Sequence, residues 1–415
     1  MAEPAPLESL VGGEEPRSRR PRPVRLLLDA LAELRLRVVQ GELGPLPTVL
    51  SLAAIWTYFE FQDHHFLTPR NISNLFLQIA VTGTIAIGVV LVLLLGEIDL
   101  SVGSVAGACA AVLGVTVVTH GWPWWAGIAM ALASGAVIGA FQGAWVALIG
   151  VPSFVVTLAG NLAWLGVQLV VLGSTGTVNV FEPHISAIAT TFLPDYWGWL
   201  LAIVGSVLWA VSQLWRETRR RRADLPARPN VLVLAQAFGL GAVVLGAVAV
   251  LNRANGVPTA GLILVGLVIV FSWLTMRTRF GRYIYAVGGG AEAARRGGIN
   301  VTAIRVTVFT LCSTFAALGG VISVSRGAAA STQTGGGTLL LEAIAAAVIG
   351  GTSLFGGHGT ILAALLGALV IGSVSNGLDL IGQSAEIKYI VEGAILLVAI
   401  TIDTLSRRGR LAAGR

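Results

Sequence analysis

The sequence predicts an all-α protein that crosses a membrane about twelve times, with both termini on one side. Three observations carry this. Of 415 residues, 55% are hydrophobic and only 12% charged, about half the roughly 25% of charge that a soluble domain needs to cover its surface. The apolar runs are long and unbroken, about 20 residues each, enough for a helix rising 1.5 Å per residue to cross ~30 Å of hydrocarbon; barrel strands would alternate apolar and polar. Finally, the basic residues fall in clusters separated by even numbers of these runs.

The first segment, 1–42, is a tail with Pro4, Pro6, Pro16, Pro21 and Pro23 set among charges. No apolar core follows it directly, which makes it a poor signal peptide. From Val24 to Val39 it becomes an arginine-rich amphipathic helix, which either lies on the inner leaflet or serves as a plain topology anchor. A single transmembrane domain, 43–415, follows. Its spans are Leu43 to Phe61, Leu75 to Leu95, Ser101 to Thr119, Trp124 to Ile149, Phe154 to Leu172, Tyr196 to Trp215, Val231 to Leu251, Pro258 to Met276, Ala303 to Ser323, Thr338 to Phe355, Thr360 to Leu380 and Ala385 to Asp403. The tenth is unusual in being rich in Gly and Ala and in carrying Glu342.

Of the 27 basic residues, seven lie from Arg17 to Arg37, six from Arg216 to Arg228, six from Arg277 to Arg305 and four from Arg407 onward. Six, two and four spans separate these clusters, so all four fall on one side, which the positive-inside rule makes cytoplasmic. The loops 216–230 and 277–302 are therefore cytoplasmic. Arg70, Arg253, Arg326 and Lys388 are left singly for the other side, where Gly173 to Asp195 forms a long segment with Phe181 and Phe192 and leads into Tyr196, Trp197 and Trp199, an interfacial aromatic belt.

Polar residues inside spans are costly and mark packing or passage. Gly96-Glu97-Ile98-Asp99-Leu100-Ser101-Val102-Gly103 places two carboxylates and a hydroxyl between two spans with almost no loop. Glycines at both ends allow irregular backbone beside a cavity. Glu97 and Asp99 are stations on a solute path, or carboxylate caps on the next helix, or one of each. Gln78, Thr82, Gln142, Asn161, Gln168, Gln236, Ser313 and Asn376 also lie inside spans. Amides of this kind bind sugar hydroxyls, with an aromatic face such as Trp164 offers, or join helices to one another. Gln78 and Asn161 join Glu97, Asp99 and Ser101 as candidate path residues. Gly135, Gly139 and Gly143 recur every fourth residue, and Gly103 with Gly107 does the same, a spacing that lets helices approach closely. The pattern Gly-x-x-x-Leu-x-x-Gly occurs at Gly96 to Gly103 and again at Gly350 to Gly357, a hint of two related halves.

Catalytic and nucleic-acid functions find no support. The five histidines fall in loops without metal-ligand spacing, no phosphate-binding Walker sequence is present, and Cys109 and Cys312 sit in apolar runs as small buried hydrophobes. The net charge of +6 comes from clusters flanking spans and not from a basic face. No metal or cofactor is expected on this chain. If transport is driven by ATP, another subunit hydrolyses it.

The loop from Arg277 to Asn300 contains a short helix, Ala291 to Arg296, bounded by glycines. A rigid two-turn helix on the cytoplasmic side suits docking in a partner's groove, with Glu292 and Arg295 pairing across the interface and Tyr285 and Ile299 burying there. Gly281 to Val301 resembles the cytoplasmic coupling loop of bacterial ABC-type monosaccharide permeases, the ribose, xylose and arabinose group. Gly96 to Gly107 resembles that family's Gly-Glu-Ile-Asp-Leu-Ser-Val-Gly-Ser signature, and Glu342 to Gly359 its late Gly-Gly-Thr-Ser-Leu motif. The likeness covers about Asn71 to Leu172 and Pro258 to Asp403. Gly290 and Gly297 stand where the family commonly has Asn and Ser, and Tyr196 to Leu251 is an addition to the shorter, ten-span ribose-type layout, as in the longer xylose-type members.

The resemblance implies an ABC importer permease fold in the bacterial cytoplasmic membrane. It implies a homodimer surrounded by lipid, a cytoplasmic ATPase subunit that uses ATP and Mg, an extracytoplasmic sugar-binding protein and a monosaccharide substrate. It assigns coupling to Gly288, Gly289, Glu292, Ala293, Ala294, Arg295 and Gly298. Rival readings are a permease for branched-chain amino acids or another small solute, and an ion-coupled secondary transporter working through Glu97 and Asp99.

Overall fold

A computed structural model describes residues 46 to 412. The 1–42 tail, with its expected amphipathic helix from Val24 to Val39, lies outside the described residues. Pro45–Leu405 form one compact unit.

Every predicted span overlaps a helix. The long ones are α1 Leu46–Gln62, α2 Pro69–Leu94, α3 Val102–Gly114, α4 Trp124–Ala144 and α5 Ser153–Leu172. After a short strand β1, Thr177–Asn179, come α6 Pro183–Thr190, β2 Phe192–Leu193, α7 Asp195–Arg222, α8 Asn230–Asn252, β3 Val257–Pro258 and α9 Thr259–Arg277. The remainder is α10 Arg279–Gly289, α11 Ala291–Arg296, α12 Val301–Gly327, β4 Ala329–Ser331, α13 Leu339–Ile349, α14 Leu362–Leu380 and α15 Ala385–Ala412. π-helical turns over Val115–Thr119 and Trp145–Ile149 extend α3 and α4. Among the described residues, nine helices are long and apolar enough to cross a membrane. The other three of the twelve predicted spans depart from that standard for separate reasons. α1 has 17 residues, about 26 Å at 1.5 Å per residue. α15 carries Glu386, Lys388 and Glu392 within its first turns.

The tenth differs most. Its helix, α13, has 11 residues, only about 16 Å of rise. Glu342, near its start, accepts a hydrogen bond from Thr82 Oγ1 at 3.1 Å, halfway along α2. Gly350, just past its other end, packs against Ala363 at the start of α14. α13 therefore covers one half of the crossing. The other half is irregular chain running from β4, which pairs antiparallel with β1 from Thr177↔Ser331 to Asn179↔Ala329, down to Gly335, which packs against Gly103 and Gly107 of α3. Gly335 and Gly337 take positive φ of 79° and 63°, a conformation open to glycine at little cost. A half-helix and an extended half together make one crossing, so the end of α12 and the start of α14 lie at opposite faces.

α2 is the central helix, buried from Ile79 through Leu95 and packed by α12, α14, α13 and α9. α4 lies along α12 through the predicted glycine stripe. A methyl placed on Gly135 would stand 2.7 Å from the Ser313 carbonyl oxygen, and one on Gly143 2.9 Å from Phe309, so only the absent side chains allow this backbone approach. α7 and α8 pack on each other as a hairpin. They meet α2 through a small apolar cluster of Ile72, Ala202, Val248, Leu251 and Val257.

Candidate functional site

At the arginine-rich end, three glycine-bearing segments meet. Leu94 closes α2, and its carbonyl accepts a hydrogen bond of 2.9 Å from the Gly357 amide. Gly356 lies against Gly96, and Gly288 of α10 packs on the Leu94 carbonyl and the Gly357 amide. The two copies of the Gly-x-x-x-Leu-x-x-Gly pattern are thus neighbours in space, with the end of α10 wedged over their seam. A side chain at Gly288 would collide with backbone on two sides. Tyr285 locks the same helix down by donating its phenol to the Gly359 carbonyl at 2.8 Å; burial pushes the phenol's pKa up, so it remains a donor. Tyr285 is therefore held within the chain instead of being free for a partner, and Ile299 likewise packs on the core.

The short helix expected at Ala291 to Arg296 is α11, with the same ends. Ala294 faces inward, while Glu292, Ala293, Arg295 and Gly298 are exposed. Glu292 pairs with Arg295 at 3.4 Å and Arg296 at 3.3 Å on its own helix, exposed contacts worth little to stability. Before it, where the sequence predicts loop, Arg279–Gly289 forms α10. Its strong apolar stripe, Gly281, Ile284 and Val287, is buried, and Thr278 caps it by accepting from the Gly281 amide at 3.3 Å. Gly289 is exposed with open space around it, and Gly288 is half-buried in the seam.

The Gly96–Ser101 turn enters the bundle from this junction. Glu97 forms an ion pair of 3.0 Å with Arg305 in the second turn of α12, both side chains largely covered. Asp99 is buried and accepts from the Ser101 amide at 2.8 Å and hydroxyl at 2.6 Å, bracing the entry to α3. Gln142 Oε1 stands 3.0 Å from the same hydroxyl. The turn's own amides are met by α5: Ile98 donates to Ser153 Oγ at 3.2 Å and Leu100 to Thr157 Oγ1 at 3.0 Å. Non-helical backbone inside a bundle persists only where such partners satisfy it. Asn161 takes the Ser104 hydroxyl. Glu97, Asp99, Ser101 and Asn161 therefore sit in a braced wall of α3, α4, α5 and α12, and the partner the sequence reading missed is Arg305, hidden among the topology arginines.

Gln78 lies elsewhere. With Thr82 it lines a cavity of about 300 Å³ bounded by α2, the end of α12, the irregular half of the tenth crossing and α14. Its other polar walls are Ser323, Arg326, Gln333, Thr334, Glu342, Ser375 and Asp379. Glu342 is held by the Thr82 hydroxyl and by the Thr338 hydroxyl at 2.5 Å. Asp379 is paired with Lys388, and the carboxylates of Asp379 and Glu342 act electrostatically on Arg326. The cavity reaches from Thr82 and Glu342, halfway along α2, to Arg326 and Asp379 in the last turns of α12 and α14. Two of the lone cations on the far side, Arg326 and Lys388, thus belong to one network. Trp164 shares no part of this cavity; it lines an apolar groove with Phe141 and Met130.

A family model for the branched-chain amino acid transport system / permease component matches residues 71–400. The chain is 40% identical over 362 residues to the xylose transport system permease protein of Escherichia coli strain K12, covering 87% of this chain and 91% of that one. It is 38% identical over 368 residues to the corresponding protein of Haemophilus influenzae, covering 87% and 96%. To the ribose import permease protein of Escherichia coli strain K12 it is 35% identical over 344 residues, covering 82% and 87%. No solved structure matches the chain.

Proposed function

The chain belongs to the branched-chain amino acid transport system / permease component family, and from that premise we propose that it carries a monosaccharide, a pentose such as xylose, through the bacterial cytoplasmic membrane as the permease subunit of an ATP-binding cassette importer. The observation that carries the sugar assignment is the 40% identity to a xylose permease along 91% of that protein's length. The family model bears the name of amino acid transport, but the relatives above are named for xylose and ribose.

The chain is a transport subunit, and the complexes of this family pair such a subunit with an ATPase and a solute-binding protein. We assign ATPase docking to the exposed face of α11, with Glu292, Ala293, Arg295 and Gly298 at the contact and the buried Ala294 anchoring the helix. The arginine-rich end is then cytoplasmic. ATP and Mg are used by the partner, not here. A push on α11 passes into α10, and Gly288 hands it to the seam between Leu94–Gly96 and Gly356–Gly357. Because α2 enters one side of that seam and the chain from α13 to α14 the other, a small displacement there tilts both elements together, which is the motion alternating access needs. The Glu97–Arg305 pair ties the same turn to α12. Asp99, Ser101 and Asn161 hold the wall beside the path, and Gln78 faces it. A second copy of the chain completes the permease as a homodimer.

Reconstitution tests this. Proteoliposomes holding the chain, its ATPase and its binding protein should take up D-xylose or another pentose in an ATP-dependent way and ignore L-leucine. Uptake driven by an ion gradient without the ATPase would replace this reading with secondary transport. Reversing Glu292 and Arg295 together should weaken co-purification of the ATPase while leaving membrane insertion intact.

A further inference from the structure

The polar cavity differs from two other hollows among the described residues. The Trp164 groove and the hollow lined by Tyr389, Glu392 and Leu396 are mainly apolar in their walls. The hollow between α2 and α14 is open on one side and lined mainly by amides, hydroxyls, two carboxylates and a guanidinium. One wall is chain that has given up helical hydrogen bonding, with Gly335 and Gly337 at positive φ. Irregular backbone at membrane depth is tolerated where it is buried in protein or lines a water-filled space, and here it borders the hollow.

Resting on the sugar-importer reading above, we propose that this cavity is a station that holds a neutral polyhydroxylated solute in the half of the bundle away from the arginine-rich end, with Gln78, Glu342, Gln333, Arg326 and Asp379 as its recognising groups. The chemistry fits in three ways. A sugar hydroxyl both donates and accepts, and the cavity supplies both kinds of partner: carboxylate acceptors in Glu342 and Asp379, guanidinium donors in Arg326, and amides that do either in Gln78 and Gln333. The volume of about 300 Å³ is at the small end of the ~300–1,000 Å³ of ligand sites, suited to a single ring. No aromatic side chain lines it, so it lacks the face that tight sugar sites use, and a solute is held weakly enough to leave. Glu342 lies where the irregular and helical halves of the tenth crossing join, so any tilt of α13 changes the cavity's floor.

The test uses the complete complex in proteoliposomes. Ser375→Cys adds a thiol on the cavity wall with almost no change in volume, and the native Cys109 and Cys312 are buried. Modification of that thiol with a bulky, hydrophilic thiosulfonate should abolish D-xylose uptake while ATP hydrolysis stimulated by the binding protein stays within about 2-fold; excess D-xylose should slow modification several-fold. Gln78→Ala and Glu342→Gln should each lower uptake about 10-fold at unchanged assembly. Full uptake by completely modified Ser375→Cys would overturn the station while leaving the importer reading intact. No pentose uptake by the unmodified complex, with ATP hydrolysis running, would overturn the importer reading itself. Protection by L-leucine and not by D-xylose would assign the cavity to an amino acid and overturn the proposal.

Discussion

α4 with α12 and α7 with α8 are both pairs of apolar helices bearing glycine, and hydropathy does not separate them; packing does. On α4, Gly135, Gly139 and Gly143 all face α12 backbone closely enough that any side chain would collide. On the hairpin, Gly205 of α7 and Gly239 and Gly246 of α8 have nothing within 4 Å. Gly198 and Gly241 do lie where α7 and α8 meet, but Gly205, Gly239 and Gly246 are small surface groups, whereas all three stripe glycines of α4 are contacts. A glycine count therefore says little about where the bundle is tight. What matters is whether glycine repeats at helical spacing on a face that meets another helix.

The largest effects should follow from filling the tight contacts. Gly367 of α14 packs on the Ala346 carbonyl, and Gly139 on the Phe309 carbonyl, with no room for a methyl. Gly367→Leu and Gly139→Leu should abolish recovery of monodisperse protein from detergent, since overpacking against rigid backbone costs about 1–3 kcal/mol or more. Normal yield and melting temperature for either variant would mean that the bundle is looser than its geometry. Gly288→Ala comes next. The Leu94 carbonyl and the Gly357 amide leave no space for its methyl, but the segment lies at the edge of the bundle and can shift outward. We expect protein that folds and binds the ATPase yet takes up less than a tenth of the wild-type sugar per ATP hydrolysed. Uptake in proportion to hydrolysis would remove the seam from the coupling route.

Much of this was legible from the residues. Span positions, the Ala291–Arg296 helix and the Gly135–Gly143 stripe follow from length, breakers and spacing, all local properties. That the tenth span crosses with only half of the crossing in helix was not legible, because hydropathy averages Thr338–Phe355 without registering that Gly350 and Gly351 end the helix. α10 was missed because its periodicity of aromatic and aliphatic residues is interrupted by Gly281 and Arg282, and its stability comes from burying one face on the bundle. The polar cavity was illegible for another reason. Gln78, Arg326, Glu342 and Asp379 come from four separate segments, and no single-sequence spacing brings them together. The Gly96–Ser101 cluster offered two roles, and the geometry adds a third that spacing cannot reveal, the pairing of Glu97 with Arg305.

That pair gives a middle-sized effect that sharpens the contrast between tied and untied regions. Glu97→Gln or Arg305→Ala leaves a charge with its partner gone in a mostly covered position, costing about 1–3 kcal/mol, below the 3–5 kcal/mol of a fully buried pair. The double variant, Glu97→Gln with Arg305→Ala, should cost less than the sum of the two single losses. Thermal melting of the four proteins as a double-mutant cycle reads the coupling directly. Strict additivity would mean that the two side chains do not support each other and that α12 is held to the turn by backbone packing alone.

The smallest effect belongs to the hairpin. Gly239→Ala with Gly246→Ala adds two methyls to an open face of α8 and removes two helix-weakening residues, worth about 0.5–1 kcal/mol each in an exposed helix interior. The variant should melt at or slightly above the wild-type temperature and transport sugar at the wild-type rate. The outcome that breaks the comparison is a loss of assembled complex at unchanged monomer stability. In that case the face is not open in the membrane but pressed against a second copy, and its glycines are contact residues after all, of the same kind as those on α4. Either result separates glycine that shapes the subunit from glycine that shapes the assembly.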